Sequence, residues 1–173
     1  REGQHFTWSR GEELMTDRFP ELARAVDFLP SGTVLDGEIL AWQNEAPLPF
    51  NDLQKRIGRK TVPKKLLKDA PVILLAYDLL EEGGEDLRAH PMAERRTRLD
   101  TLLTDLPPEA PLRPSPRLTF DSWTSLSETR AKARDERAEG LMLKRLSSPY
   151  HTGRKKGDWW KWKVDPLTID AVM

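Results

Sequence analysis

The chain has 173 residues and a mass of 19.9 kDa, enough for one domain with its own core and little room for a second. It has no cysteine, which excludes disulfide scaffolds, Cys-ligated zinc and thiol nucleophiles, and no apolar run approaches the 18 residues of a membrane helix. The formal net charge is zero, yet residues 55–68 sum to +7 and residues 144–163 to +6, so the positive charge is concentrated in two stretches, as suits either a polyanion-binding face or two solvated basic faces.

In chain order, Gln4 to Ser9 alternates polar and apolar residues, with Phe6 and Trp8 on one side. The pattern predicts a half-buried strand that ends at Gly11. Pro20 opens a helix carrying Leu22, Ala25, Val26 and Leu29, stopped by Pro30-Ser31-Gly32. Thr33 to Trp42 reads as a strand interrupted by Asp36-Gly37. Phe50, Leu53 and Ile57 mark a short helix bearing the first basic cluster. Val72 to Tyr77 is continuously apolar, as in a strand covered on both faces. Glu81 to Gly84 is a turn, and Pro91 opens a helix with Leu99, Leu102, Leu103 and Leu106 on its apolar side.

Five prolines between Pro107 and Pro116 predict an extended loop within the domain rather than a domain linker. Ser127 to Ala138 reads as a charged helix, and Leu141–Lys144 and Trp160–Val164 as strands. The whole is an α+β chain, a mixed α/β domain on mainly antiparallel sheet, without repeats. The Rossmann and P-loop glycine patterns are absent. The chain opens on Arg1 and closes on an apolar, strand-like Thr168 to Met173, so it is expected to be a piece of a longer protein.

Asp158-Trp159-Trp160-Lys161-Trp162-Lys163 is the most informative stretch. In a strand Trp160 and Trp162 share one side and Lys161 and Lys163 the other, the two lysines starting about 6–7 Å apart. Two such cations suit an intervening phosphate, although outward lysines also guard an edge strand. Glu139, at the mouth of the Gly140–Lys144 strand, is a candidate ligand for a hard divalent cation, or simply the end of the preceding helix. Glu38 follows the Asp36-Gly37 turn signal and faces a cleft or solvent. Tyr77 ends the most apolar strand, where a ring stacks on a base or fills the core.

Taken in order, Ser9-Arg10-Gly11, Leu35-Asp36-Gly37-Glu38, Ala76-Tyr77-Asp78-Leu79-Leu80, Glu139 to Lys144 and Trp160 to Lys163 resemble the motifs of covalent nucleotidyltransferases. They are most similar to the adenylation domain of ATP-dependent DNA ligases of the bacterial kind. Arg18 to Leu22, Asp52 to Lys60 and Tyr150 to Arg154 look like that family too. The resemblance implies an ATP-grasp-like nucleotidyltransferase domain of antiparallel sheets flanked by helices. It implies that ATP, with Mg²⁺ or Mn²⁺, is used to seal nicked duplex DNA in repair, replication or recombination. By resemblance Lys161, Lys163 and Lys144 bind ATP, the first two at the α-phosphate. Glu139 acts on the metal, Glu38 on ribose or metal, Tyr77 stacks on adenine, and Arg10 approaches ribose or the nick phosphate. Lys55, Arg56, Arg59, Lys60 and Arg154 are candidate DNA-backbone contacts. A monomer, without membrane, in the bacterial cytoplasm at the nucleoid, is expected.

The family's Lys-x-Asp-Gly nucleophile motif does not occur in the sequence. Its lysine is expected before residue 1 and the family's OB domain after residue 173, so the chain alone is expected not to adenylylate itself. Alternatives are an RNA ligase or an mRNA-capping-type guanylyltransferase, or a ligase-like, non-catalytic nucleic-acid-binding module. An NAD-dependent ligase fits the motifs less well.

Overall fold

In a computed structural model, residues 3–59, 61–153 and 155–165 are described, and the chain divides into two compact units. One comprises Arg1–Pro116 with Leu146–Thr152, the other Arg117–Arg145 with Gly153–Met173. The proline-rich segment, read from sequence as a loop inside one domain, therefore ends at a boundary between units. It also contributes a short strand.

The first unit is built on a five-stranded sheet. Strand β1 (Val34–Gln43) turns through Asn44-Glu45 into β2 (Ala46–Pro47). On its other edge β1 pairs antiparallel with β3 (Val72–Glu82). β3 then pairs with β4 (Glu85–Asp86) across the Gly83-Gly84 turn, and in parallel with β5 (Leu112–Pro114). The ladder is irregular where it matters most. Asp36 lies opposite Asp78 but its neighbour Gly37 lies opposite Ala76, which leaves Tyr77 as the extra residue of a bulge. Gly37 permits this: a Cβ there would stand 2.8 Å from the Leu75 carbonyl oxygen and 3.1 Å from the Ala76 Cα. The Asp-Gly pair read as a turn signal is thus a bulge within a continuous strand.

Helix α1 (Phe50–Ile57), α2 (Lys64–Asp69) and α3 (Met92–Leu103) flank this sheet, and Pro20–Asp27 winds as a 3-10 helix. Two apolar clusters run along the sheet. One holds Phe19, Leu22, Leu53 and Val72, the other Ala76, Leu79, Leu99, Leu103 and Leu112; Leu74 packs against both. The amino-terminal segment departs from its expected form. It makes a single bridge, Trp8 to Leu14, and the alternation is inverted: Phe6 and Trp8 face outward while His5, Thr7 and Ser9 turn inward. There Thr7 Oγ1 lies 2.8 Å from the His5 ring, and the Thr7 amide donates to Thr16.

Two buried arginines hold the unit together. Arg56 of α1 forks onto Glu21 at 2.5 and 2.7 Å and also donates to the carbonyls of Ala70 and Arg18, with its guanidinium over the Phe19 ring. Arg95 of α3 forks onto Asp78 at 2.8 and 2.9 Å, both side chains fully out of water, and donates to the carbonyls of His90 and Ser148. α3 has no side-chain cap. The carbonyls of Ser148 and Leu146 instead accept its first free amides, those of Met92 and Ala93.

In the second unit, β6 (Gly140–Lys144) and β7 (Trp159–Lys163) form an antiparallel ribbon beside α4 (Trp123–Ala131). The expected helix over Ser127 to Ala138 starts earlier. Ser122 and Ser125 form a capping box that nucleates α4 at Trp123, and turns follow Ala131. Among the described residues no helix is long and apolar enough to cross a membrane.

Removing one partner of a fully buried ion pair strands the other charge. Arg95→Met is expected to lower stability to urea by about 3–5 kcal/mol. Arg88→Ala, which breaks only an exposed pair with Asp86, should leave the urea midpoint nearly unchanged.

Candidate functional site

The residues singled out by sequence fall on both units. Lys144, Lys161, Lys163 and Glu139 belong to the β6–β7 ribbon, and Arg10, Glu38 and Tyr77 to the first unit. Register fixes the ribbon's faces. Lys163 lies opposite Gly140, Lys161 opposite Met142 and Trp159 opposite Lys144, so these side chains share one face. Leu141, Leu143, Trp160 and Trp162 share the other. There Trp162 meets the edge of Trp123 and lies beneath the Arg130 guanidinium, 4.9 Å from its ring centroid. The two lysines therefore stand together, as the strand pattern predicts.

Gly140 is the hinge of this arrangement. Its φ is +144°, and an added Cβ would fall 2.3 Å from the Trp162 carbonyl oxygen and 2.6 Å from the Lys163 Cα. Only glycine lets β6 begin this close to β7, and that closeness puts Glu139 beside Lys163, 2.7 Å from carboxylate to ammonium. The Lys163 hydrogen bond and charge, with help from Lys161, hold the Glu139 carboxyl below the usual carboxylate range. Both side chains are more than half exposed, so a phosphate or a cation can displace either from the other. Glu139 and Lys163 also border a shallow depression with Arg134 and Arg137. Lys144 lies with its ammonium 3.9 Å from the Trp159 ring centroid, a cation–π contact.

In the first unit Asp36 is the centre. Its two carboxylate oxygens accept from the hydroxyls of Tyr77 at 2.9 Å and Tyr150 at 2.8 Å. Burial, and then the Asp36 charge and hydrogen bond, push the Tyr77 phenol far above its ordinary range. Tyr150 is raised by the same causes, with the Asp36 hydrogen bond second to burial. Glu38 is exposed on β1 and close enough to Tyr77 to add to that shift. Arg10 is exposed in the turn that Ser9 closes by accepting from the amides of Glu12 and Glu13. The sequence reading passed over Asp36 and Tyr150 as site residues. The available signal was that the chain has two tyrosines, each beside a family-like motif.

The DNA-contact candidates divide. Arg56 is corrected: its side chain is wholly buried and its guanidinium is committed to Glu21, so it holds the fold and offers nothing to a phosphate. Lys55 is exposed but pairs with Asp52 at 2.6 Å. Arg59 is exposed at the end of α1, donating back to the Lys55 carbonyl, and Lys64, Lys65 and Lys68 are exposed on α2. Lys60 and Arg154 lie outside the described residues.

Carboxylate oxygens suit Mg²⁺ or Mn²⁺, and Glu139 is exposed and anionic. No cluster of three acidic or histidine side chains occurs among the described residues. The donor set therefore fits an ion held by one or two carboxylates together with a nucleotide's phosphates.

Replacing Gly140 by Ala is expected to destabilise the ribbon by at least about 1–3 kcal/mol, from the left-handed backbone and the clash together. Near-ultraviolet circular dichroism of the tryptophans during a urea titration checks it.

Residues 1–163 match the family described as ATP dependent DNA ligase domain. A "Probable DNA ligase" of Koribacter versatilis is 32% identical over 96% of the chain, and a "DNA ligase" of Haloferax volcanii 36% identical over 99%. The chain spans only 32% and 29% of those two relatives. Among solved structures, mycobacterial DNA ligase D complexed with ATP and MES superposes over 93% of this chain and 48% of its own. The TM-score is 0.71 at 28% identity. The ligase domain from M. tuberculosis LigD gives a TM-score of 0.70 at 27% identity, over 93% of this chain and 47% of its own. The mixed α/β architecture is that of the ligase nucleotidyltransferase domain, and the chain belongs to the ATP-dependent DNA ligase domain family.

Proposed function

We propose that the chain is part of the adenylation domain of an enzyme that seals nicks in duplex DNA at the expense of ATP. The β6–β7 ribbon carries this reading, because it sets Lys161 and Lys163 on one face and brings the Glu139 carboxylate against Lys163. In the reaction, a lysine amine attacks the α-phosphate of ATP and expels pyrophosphate. The AMP then passes to the 5′-phosphate of the nick, and the 3′-hydroxyl displaces AMP to close the strand.

Such chemistry asks for positioning and charge neutralisation more than for proton transfer. Lys161 and Lys163 neutralise the α-phosphate as it becomes five-coordinate. Tyr77 supplies a ring for the adenine, a contact worth about 1–3 kcal/mol, with Lys144 beside the phosphates. Glu38 acts on the ribose or a metal ion, and Arg10 reaches the ribose or the nick phosphate. Glu139, released from Lys163, would hold a divalent ion, which when bound offsets the charge on the phosphates. No Lys-x-Asp-Gly occurs in residues 1–173, so in this reading the attacking lysine is supplied from outside them.

Labelling with α-³²P-ATP and Mg²⁺ tests this. An AMP label that survives alkali and is released by acid, as a lysine phosphoramidate should be, is expected on a longer polypeptide that includes a Lys-x-Asp-Gly segment and not on the 173-residue chain. Lys161→Ala in the longer protein should reduce the label by at least about 100-fold. Absence of label on the longer protein would contradict the proposal.

Arg59 and the α2 lysines are the DNA-backbone contacts in this reading. Removing Arg59 and Lys64 together should weaken nicked-duplex binding equally for all sequences. It should lower the slope of log affinity against log salt by about 2. Fluorescence anisotropy at several salt concentrations measures it.

A further inference from the structure

We infer that Asp36 is a positioning residue: its carboxylate clamps the hydroxyls of Tyr77 and Tyr150 together, fixing the Tyr77 ring for a nucleotide base and tying that ring to the segment Leu146–Thr152. The clamp rests on three independent pieces of geometry. The bulge leaves Tyr77 as the extra residue of β3, directed by no ladder partner of its own. Asp36 Oδ1 receives Tyr77 at 2.9 Å, which supplies that direction. The returning segment is anchored separately, by Ser148 and Leu146 capping α3 and by the Tyr150 amide donating to the Arg88 carbonyl, and this brings the Tyr150 hydroxyl 2.8 Å from Asp36 Oδ2.

The residue type follows from the hydrogen-bond count. Two phenols arrive as donors, and a carboxylate offers an acceptor oxygen to each, whereas an amide would turn an N–H toward one of them. The charged groups facing the clamp are Glu38 from β1, Asp78 from β3 and Arg95 from α3, whose guanidinium lies 5.9 Å from the Tyr150 ring centroid. Asp78 is already neutralised by Arg95, so the phenols are what answers the Asp36 charge. A free tyrosine ring rotates about two side-chain torsions. Held at its far end, it loses that freedom before a base arrives, so binding no longer has to supply the ordering.

The role toward a base depends on the ATP reading; the clamp does not, and the two can be tested apart. The chain has only two tyrosines, both in the clamp, so its tyrosinate absorbance reports on nothing else. In an alkaline titration of the 173-residue chain, both phenols are expected to ionise well above the ordinary value of about 10. Asp36→Asn should bring both down while circular dichroism shows the fold intact. Wild-type and Asp36→Asn phenols that ionise at the same pH, including only as the fold is lost, would overturn the clamp, because burial alone would then account for both. Ionisation of either wild-type phenol near its ordinary value in the folded chain overturns it.

The second arm uses the longer polypeptide and the steady-state rate of adenylylation. Asp36→Asn and Tyr77→Phe should each raise KM for ATP about 5- to 10-fold and lower kcat much less, and the double variant should be no worse than either. Additive effects, or a loss confined to kcat, would overturn the positioning role. A wild type that shows no ATP dependence would refute the ATP reading and leave the titration to decide the clamp.

Discussion

Arg95 and Asp78 form an ion pair from which water is excluded, and the organisation of the first unit depends on it. The pair is stabilising only because it is fully bonded. Asp78 receives both arms of the fork, and the remaining guanidinium hydrogen bonds reach the carbonyls of His90 and Ser148. A buried charge with fewer partners would cost more than it returned. One side chain thus joins the central strand, the turn before α3 and the segment that returns from residue 145. That segment caps α3 and delivers Tyr150 to Asp36. Core and candidate site are continuous.

Charge is used in two ways that a sequence count merges. Arg56 and Arg95 belong to the interior, each forked onto a carboxylate distant in sequence. Lys64, Lys65, Lys68 and Arg59 belong to the surface. The family-like Arg18 to Leu22 and Asp52 to Lys60 stretches owe part of their character to a fold requirement, because Glu21, Phe19 and Arg56 meet in one contact. The basic cluster remains a candidate for a DNA backbone, with one of its arginines removed from that role.

Elements set by local rules were legible in the sequence. β1, β3, β6 and β7 and helices α1 and α3 lie where alternation, apolar runs and proline starts place them, and register confirmed the shared face of Lys161 and Lys163. Features set by contacts distant in sequence were not. Phe6 and Trp8 alternate as a half-buried strand should, yet face outward, because alternation specifies two faces without saying which is covered. The Pro20 helix winds as 3-10 rather than α, and α2 begins at Lys64 after Pro63, inside a run read only for its charge. Asp36 looked like a turn residue because Asp-Gly is common in turns. Its bulge and its two phenols depend on β3 and on a segment more than 100 residues away.

In the proposed reading the ring of Tyr77 on β3 receives the adenine of ATP. Photolabelling the longer polypeptide with 8-azido-ATP, followed by peptide mapping, tests it most directly. The account predicts adducts on the β3 peptide containing Tyr77, suppressed by excess ATP and weakened by Lys161→Ala. Adducts that ATP suppresses but that map away from β3 would contradict it.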